Sequence, residues 1–127
     1  RRQVAAVIVK ENHLLSAGYN GTPRGVKNCF DGGCPRCAGH TPSGKGLDEC
    51  LCVHAEQNAI IQAAKLGISI ENATLYCTHQ PCILCAKMIV NAGIKRIVVR
   101  EGYPDELSME ILDEAGLKVE RLGEKED

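Results

Sequence analysis

The sequence predicts an α/β domain, a three-layer α-β-α sandwich built on a mixed five-stranded sheet. Three observations predict it. Residues 3–9 (QVAAVIV) form a run of small and β-branched apolar side chains, the pattern of a strand covered on both faces. Beyond a long irregular stretch, helix-period and strand-period segments alternate to the end of the chain. At 127 residues, with 44% hydrophobic and 24% charged residues, the chain has the size and balance of one core, so residues 1–127 are read as a single domain.

The elements follow in order. After the first strand, Lys10-Glu11-Asn12 makes a polar turn, and His13 to Tyr19 returns as the second arm of a hairpin that Asn20-Gly21-Thr22-Pro23 punctuates. The next stretch, about 28–53, is rich in Gly, Pro and Cys and has no usable period; compact domains rarely carry a loop this long without a special reason, and a metal clip is one. From His54, Ala55, Ala59, Ile60, Ala63, Ala64 and Leu66 recur at helical spacing, and Gly67 supplies a stop. Ala73 to Thr78 reads as strand. Pro81 stands where a helix can begin, and Ile83 to Ala92 is apolar enough to be buried between layers. Ile94 to Val99 is the next strand, Leu107, Ile111, Leu112 and Ala115 mark a third helix closed by Gly116, and Leu117 and Val119 alternate as a short last strand. Residues 123–127 read as a frayed tail. The opening hairpin would leave one sheet face poorly covered, which points to an amino-terminal helix that is truncated or disordered.

Composition narrows the partner. The net charge is −1, with Lys and Arg interspersed among Asp and Glu, so there is no basic footprint for a nucleic-acid backbone. With no Trp, one Phe and three Tyr, there is little to stack single-stranded bases on. No stretch is long enough to span a bilayer. The partner is therefore expected to be a small molecule. Eight cysteines could signal a secreted disulfide scaffold, but that class lacks the long periodic apolar segments seen here. Cys34-x-x-Cys37, Cys50-x-Cys52 and Cys82-x-x-Cys85 have the spacing of metal ligands converging from one turn, in a reducing compartment.

The sharpest signal is His54-Ala55-Glu56 followed by Pro81-Cys82-Ile83-Leu84-Cys85, which resembles the paired signature of zinc deaminases. One imidazole and two thiolates make a three-ligand site whose fourth position is open to water, as a catalytic zinc requires. Both halves fall at expected helix starts, where unpaired N–H groups and the helix dipole favour thiolate. Glu56, two residues from His54, cannot readily share its metal but can lean over the open position. Zinc would lower the pKa of a water there to about 7, so Glu56 can take its proton as the oxygen attacks the ring carbon bearing the amine. The alternative is a closed site with a fourth cysteine and Glu56 on the surface; it gives no cause for a glutamate beside the histidine. His13 and His40 read as surface residues. His79 either lines the pocket or caps the loop before Pro81.

Gly18-Tyr19-Asn20-Gly21-Thr22-Pro23-Arg24-Gly25, His54-Ala55-Glu56-Gln57-Asn58-Ala59-Ile60 and Pro81-Cys82-Ile83-Leu84-Cys85-Ala86 together resemble the three motifs of the dCMP deaminases, within the cytidine deaminase-like zinc superfamily. The resemblance spans nearly the whole chain. It implies conversion of dCMP to dUMP and ammonia, in a cytoplasmic and usually homohexameric enzyme activated by dCTP and inhibited by dTTP. It implies a loop at Gly18, Tyr19 and Gly21 that contacts effector nucleotides, and Asn20 at the sugar hydroxyl of the substrate. Arg24 is a phosphate candidate on chemical grounds, because a guanidinium forks onto phosphate oxygens; a solvated surface place is its other reading. Cys29, Cys34, Cys37, Cys50 and Cys52 resemble the ligands of a second, structural zinc; Cys29, Cys34, Cys37 and Cys50 are the expected four, with Cys52 in reserve. Free buried cysteines or an adventitious disulfide are the alternative.

Two other functions stay open at this level. One is deamination of a different substrate, such as cytidine, a pterin or riboflavin precursor, or adenosine in transfer RNA. The other is a non-catalytic zinc module.

Overall fold

The computed structural model describes residues 3–26, 51–102 and 105–123. Strands β1 (Ala5–Lys10) and β2 (His13–Tyr19) form the expected hairpin, with Lys10 paired to His13. The two residues between them, Glu11 and Asn12, have φ of 52° and 65°, the left-handed pair that matches the twist of a two-residue hairpin loop. Then come α1 (Ala55–Leu66), β3 (Thr74–His79), α2 (Ile83–Asn91), β4 (Arg96–Glu101), α3 (Glu106–Glu114) and β5 (Lys118–Arg121). The first, third and fourth strands begin one or two residues later than their apolar runs. Periodicity marks burial, whereas the strand begins where the ladder does.

The strands form a single sheet in the order β2-β1-β3-β4-β5, with β1 antiparallel to β2 and β3, and β3, β4 and β5 parallel. It is the mixed five-stranded sheet expected. The register assigns its two faces. Ile8, opposite both Ser16 and Leu75, shares a face with Ala6, which sits opposite Gly18 and Cys77; Ile97 and Val99 continue it on β4. All of these are buried, and α1 packs on this face against β1, β2 and β3. Both parallel connections, β3-α2-β4 and β4-α3-β5, advance in one direction across the sheet. Right-handed crossovers of that kind put their helices on one side, and α2 accordingly touches both α1 and α3. The helices among the described residues thus lie on one face. The other face carries a shallow apolar depression lined by Ala5, Val7, Tyr76, Val98 and Leu122.

Helix burial is narrower than the sequence pattern. On α1 the fully buried positions are Ala55, Glu56, Ala59 and Ala63, while Ala64 and Leu66 are exposed. On α3 the buried pair is Ser108 and Leu112, one turn apart, whereas Leu107 is 54% exposed and Ala115 is exposed. No helix among the described residues is long and apolar enough to cross a membrane.

Candidate metal centre

Two helix starts build the site. His54 is the N-cap of α1 in extended conformation, and its N–H donates to Gln57 Oε1 at 2.8 Å, so the third helical residue closes over the cap. Cys82 is the N-cap of α2, also extended, and Cys85 lies in the first turn, fully buried. These ends converge because α1 and α2 pack side by side. His54 Nδ1 lies 3.1 Å from Cys85 Sγ and 3.4 Å from Cys82 Sγ, and the three donor atoms all fall within 4.8 Å of one another. The edges of a tetrahedral zinc site built from ordinary Zn–N and Zn–S lengths are about 3.5–3.8 Å, so this soft and borderline donor set fits zinc after opening by a few tenths of an ångström. Among the described residues it is the one group of three such side chains that close.

The electrostatics suit a cation. Cys82 is pulled down to about 4, chiefly because Cys85 donates its S–H to it, with His54 adding to the effect against the cost of burial. Cys85, the donor in that pair, is pushed far up by the same bond and by burial. The two sulfurs therefore share one proton, which a dication would displace. Glu56 is 4% exposed, and burial raises its carboxyl, opposed by the neighbouring Cys85 thiol and by the nearby imidazole of His54. Beneath it on β3, burial and the charge of Glu56 push the Cys77 thiol up, so Cys77 stays protonated as a plain core residue.

The other expected residues divide. Gly21 and Val53 form an isolated antiparallel bridge, with N–H to O distances of 3.1 and 2.6 Å, which sets the Asn20-Gly21 turn against the residue before His54. Asn20 Oδ1 accepts from Val4 N at 2.9 Å and its own N–H donates to Val4 O, fastening this turn to the start of β1. Tyr19 is 72% exposed, with its carbonyl accepting from Asn58 Nδ2 at 2.6 Å. Gly18 has a packing reason to be glycine: a Cβ there would stand 2.4 Å from Ala55 O and 2.5 Å from Ala59 N. Arg24 is exposed. Cys52 is half-buried and is not one of the three side chains that close around His54, while Cys29, Cys34, Cys37, Cys50 and His40 lie outside the described residues. His13 is exposed. His79 ends β3 with Nδ1 2.9 Å from Thr78 Oγ1 and Nε2 3.0 Å from Glu101 Oε1, so it holds the strand end ahead of Pro81.

Sequence reasoning quoted Gln57 and Asn58 only as members of a motif, without the bonds they make, and missed Ser108. The capping pair could have been found from the cap-x-x-Gln spacing at His54 and Gln57. Ser108 could have been noticed as the polar residue four positions before Leu112 on the same helical stripe.

Residues 1–101 match the family model described as the cytidine and deoxycytidylate deaminase zinc-binding region. The chain is 43% identical to deoxycytidylate deaminase of Saccharomyces cerevisiae over 100% of its own length and 40% of that protein. It is 38% identical to deoxycytidylate deaminase of Mycobacterium phage D29, over 84% of this chain and 80% of the phage protein. Among solved structures, dCMP deaminase from the cyanophage S-TIM5 in complex with dCMP and dUMP superposes with a TM-score of 0.75 at 35% identity, covering 96% of this chain and 82% of that one. The chain spans 40% and 37% of the lengths of its two yeast relatives, from Saccharomyces cerevisiae and Schizosaccharomyces pombe.

Proposed function

Because the chain belongs to the cytidine and deoxycytidylate deaminase zinc-binding family, we propose that it catalyses the hydrolytic deamination of dCMP to dUMP and ammonia. The observation that carries this reading is a buried carboxyl, Glu56, in the first turn of the helix that His54 caps, beside three metal-competent side chains that meet at two helix starts. The similarity to an enzyme crystallised with dCMP and dUMP supports the choice of substrate. His54, Cys82 and Cys85 would hold a zinc ion. When bound, zinc supplies a Lewis acid that makes water a nucleophile at neutral pH.

Glu56 performs the proton work. Burial raises its carboxyl above the ordinary carboxylate value, which makes it a stronger base toward water. It takes a proton from water as the oxygen bonds to the ring carbon bearing the amine, and passes that proton to the adjacent ring nitrogen. It then carries the remaining hydroxyl proton to the amine. The C–N bond breaks, ammonia leaves and the oxygen stays as the carbonyl of uracil, so every proton of the water is accounted for.

Around this centre, Asn20 binds the sugar hydroxyl and Arg24 the phosphate. Gly18, Tyr19 and Gly21 belong to the turn that meets the effectors dCTP and dTTP; for Gly18 that role would be exercised through the backbone. Cys29, Cys34, Cys37 and Cys50 hold a second, structural zinc in a cysteine-rich insertion at about 28–53, with Cys52 in reserve. The assembly is a homohexamer, and it works in the cytoplasm as one deaminase domain over residues 1–127.

Steady-state kinetics with dCMP, deoxycytidine and CMP test the assignment, with dCMP expected to have the highest kcat/KM. A preference for the unphosphorylated nucleoside would overturn it. Glu56→Gln is expected to lower kcat by about 10²–10⁴-fold while zinc content stays that of the parent protein. Turnover surviving that substitution would remove the carboxyl from its role.

A further inference from the structure

Immediately before the metal-competent Cys82, three consecutive residues are each held by the segment that runs from the end of β4 into α3. His79 Nε2 is 3.0 Å from Glu101 Oε1. Gln80 N donates to Glu101 O at 3.1 Å and Gln80 Nε2 to Met109 Sδ at 3.2 Å. Gly102, at φ 110°, leaves no Cβ to press on Gln80 N, which would lie 3.0 Å away. Pro81, fully buried, has its carbonyl bonded by Ser108 Oγ at 3.0 Å across 27 residues of chain.

Ser108 is the telling member of this set. It is 0% exposed, on the inward stripe of α3 one turn before Leu112, where an aliphatic side chain would serve packing as well. A hydroxyl in such a place costs free energy unless it has a partner, and its partner is the peptide that joins Pro81 to Cys82. Cys82 is the N-cap of α2 and has no side-chain cap bond of its own, so its orientation depends on how that peptide is held. Pro81 also has no N–H with which to hold the turn from its other side.

We propose that Ser108 is a positioning residue for the metal centre: its bond to the Pro81 carbonyl fixes the direction in which Cys82 presents its sulfur to His54 and Cys85. The proposal rests on the reading of His54, Cys82 and Cys85 as metal ligands. Groups that orient a ligand from outside the coordination shell govern roughly 10–100-fold in metal affinity when removed.

The test uses full-length protein loaded with cobalt(II), whose thiolate charge-transfer and ligand-field bands report the geometry at sulfur. The difference spectrum against Cys82→Ala isolates this centre from any other thiolate site. Ser108→Ala is expected to shift these bands, to weaken zinc binding by roughly 10–100-fold, and to lower kcat more than it changes KM. Ser108→Thr, which keeps the hydroxyl, is expected to return the bands toward the parent positions. Leu112→Ala, on the same buried stripe and without contact to the Pro81 carbonyl among the bonds above, is expected to lower the melting temperature at least as much as Ser108→Ala yet leave the bands in place.

Parent-like bands and zinc affinity in Ser108→Ala would overturn the proposal, as would an equal shift in Leu112→Ala or a Ser108→Thr spectrum no nearer the parent than that of Ser108→Ala. A parent protein whose spectrum is unchanged by Cys82→Ala would overturn the ligand reading itself, and the proposal with it.

Discussion

Glu56 shows how much of the chemistry resides in the environment of a single side chain. A glutamate on an open helix surface is an ordinary carboxylate; this one is 4% exposed, and burial raises its carboxyl. The folded protein therefore holds this proton to higher pH than the unfolded chain, whose carboxyl titrates near 4.5. In metal-free protein the corresponding stability is complete below the unfolded value and is lost as pH rises through the folded one. Glu56→Gln removes that titration, so urea unfolding of the metal-free variant, followed upward in pH from the unfolded carboxyl's range, should give a flatter stability profile than the parent's. Parallel profiles would count against a buried carboxyl at this position. His54 and the two cysteines were legible through their resemblance to a zinc-deaminase signature, whose chemistry needs those residue types at that interval. Ser108 was not. A lone serine among apolar residues acquires meaning only when folding brings the Pro81 carbonyl to it from 27 residues away.

At the scale of elements, the sequence pattern located each helix and strand to within a few residues, and placed both motifs at helix starts, as found at His54 and Cys82. It misjudged which helix positions face inward. Leu107, expected in the core, is 54% exposed while Ser108 takes the buried place, because the register of a short helix is set by its packing partner rather than by its most apolar residues. On α1 the inward face is a narrow alanine stripe, Ala55, Ala59 and Ala63, which allows the helix backbone to come close to β2. Gly18 completes that close approach from the strand side. Gly18→Ala would put a methyl group 2.4 Å from Ala55 O, and backbone atoms cannot swing aside as a side-chain tip can. The expected cost is about 3 kcal/mol or more, read by urea denaturation, with a fall in activity because α1 carries both His54 and Glu56. A variant as stable as the parent would show that β2 can draw away from α1 freely.

For the whole molecule, the order of strands was the part that composition and periodicity did not contain. Alternating helix and strand implied a parallel region, but the place of the hairpin, with β1 between β2 and β3, depends on long-range pairing that no local signal encodes. The consequence is that two helix starts far apart in sequence become neighbours only once the sheet is assembled. A metal held between them should therefore stabilise the entire fold. Removing it with a chelator is expected to lower the melting temperature by on the order of 10 °C, restored by adding zinc. Calorimetry in which chelation leaves the transition unmoved would place the ion outside the cooperative unit.

The two hydrogen bonds that join Gly21 and Val53 have one more implication. They clasp together two residues far apart in sequence, and the second of them delivers His54 to its post. Closing a longer ring at a fixed clasp costs only about 0.6 kcal/mol per doubling of its length. The length of chain between the two residues can therefore vary at little cost to the clasp that sets His54 at the start of α1.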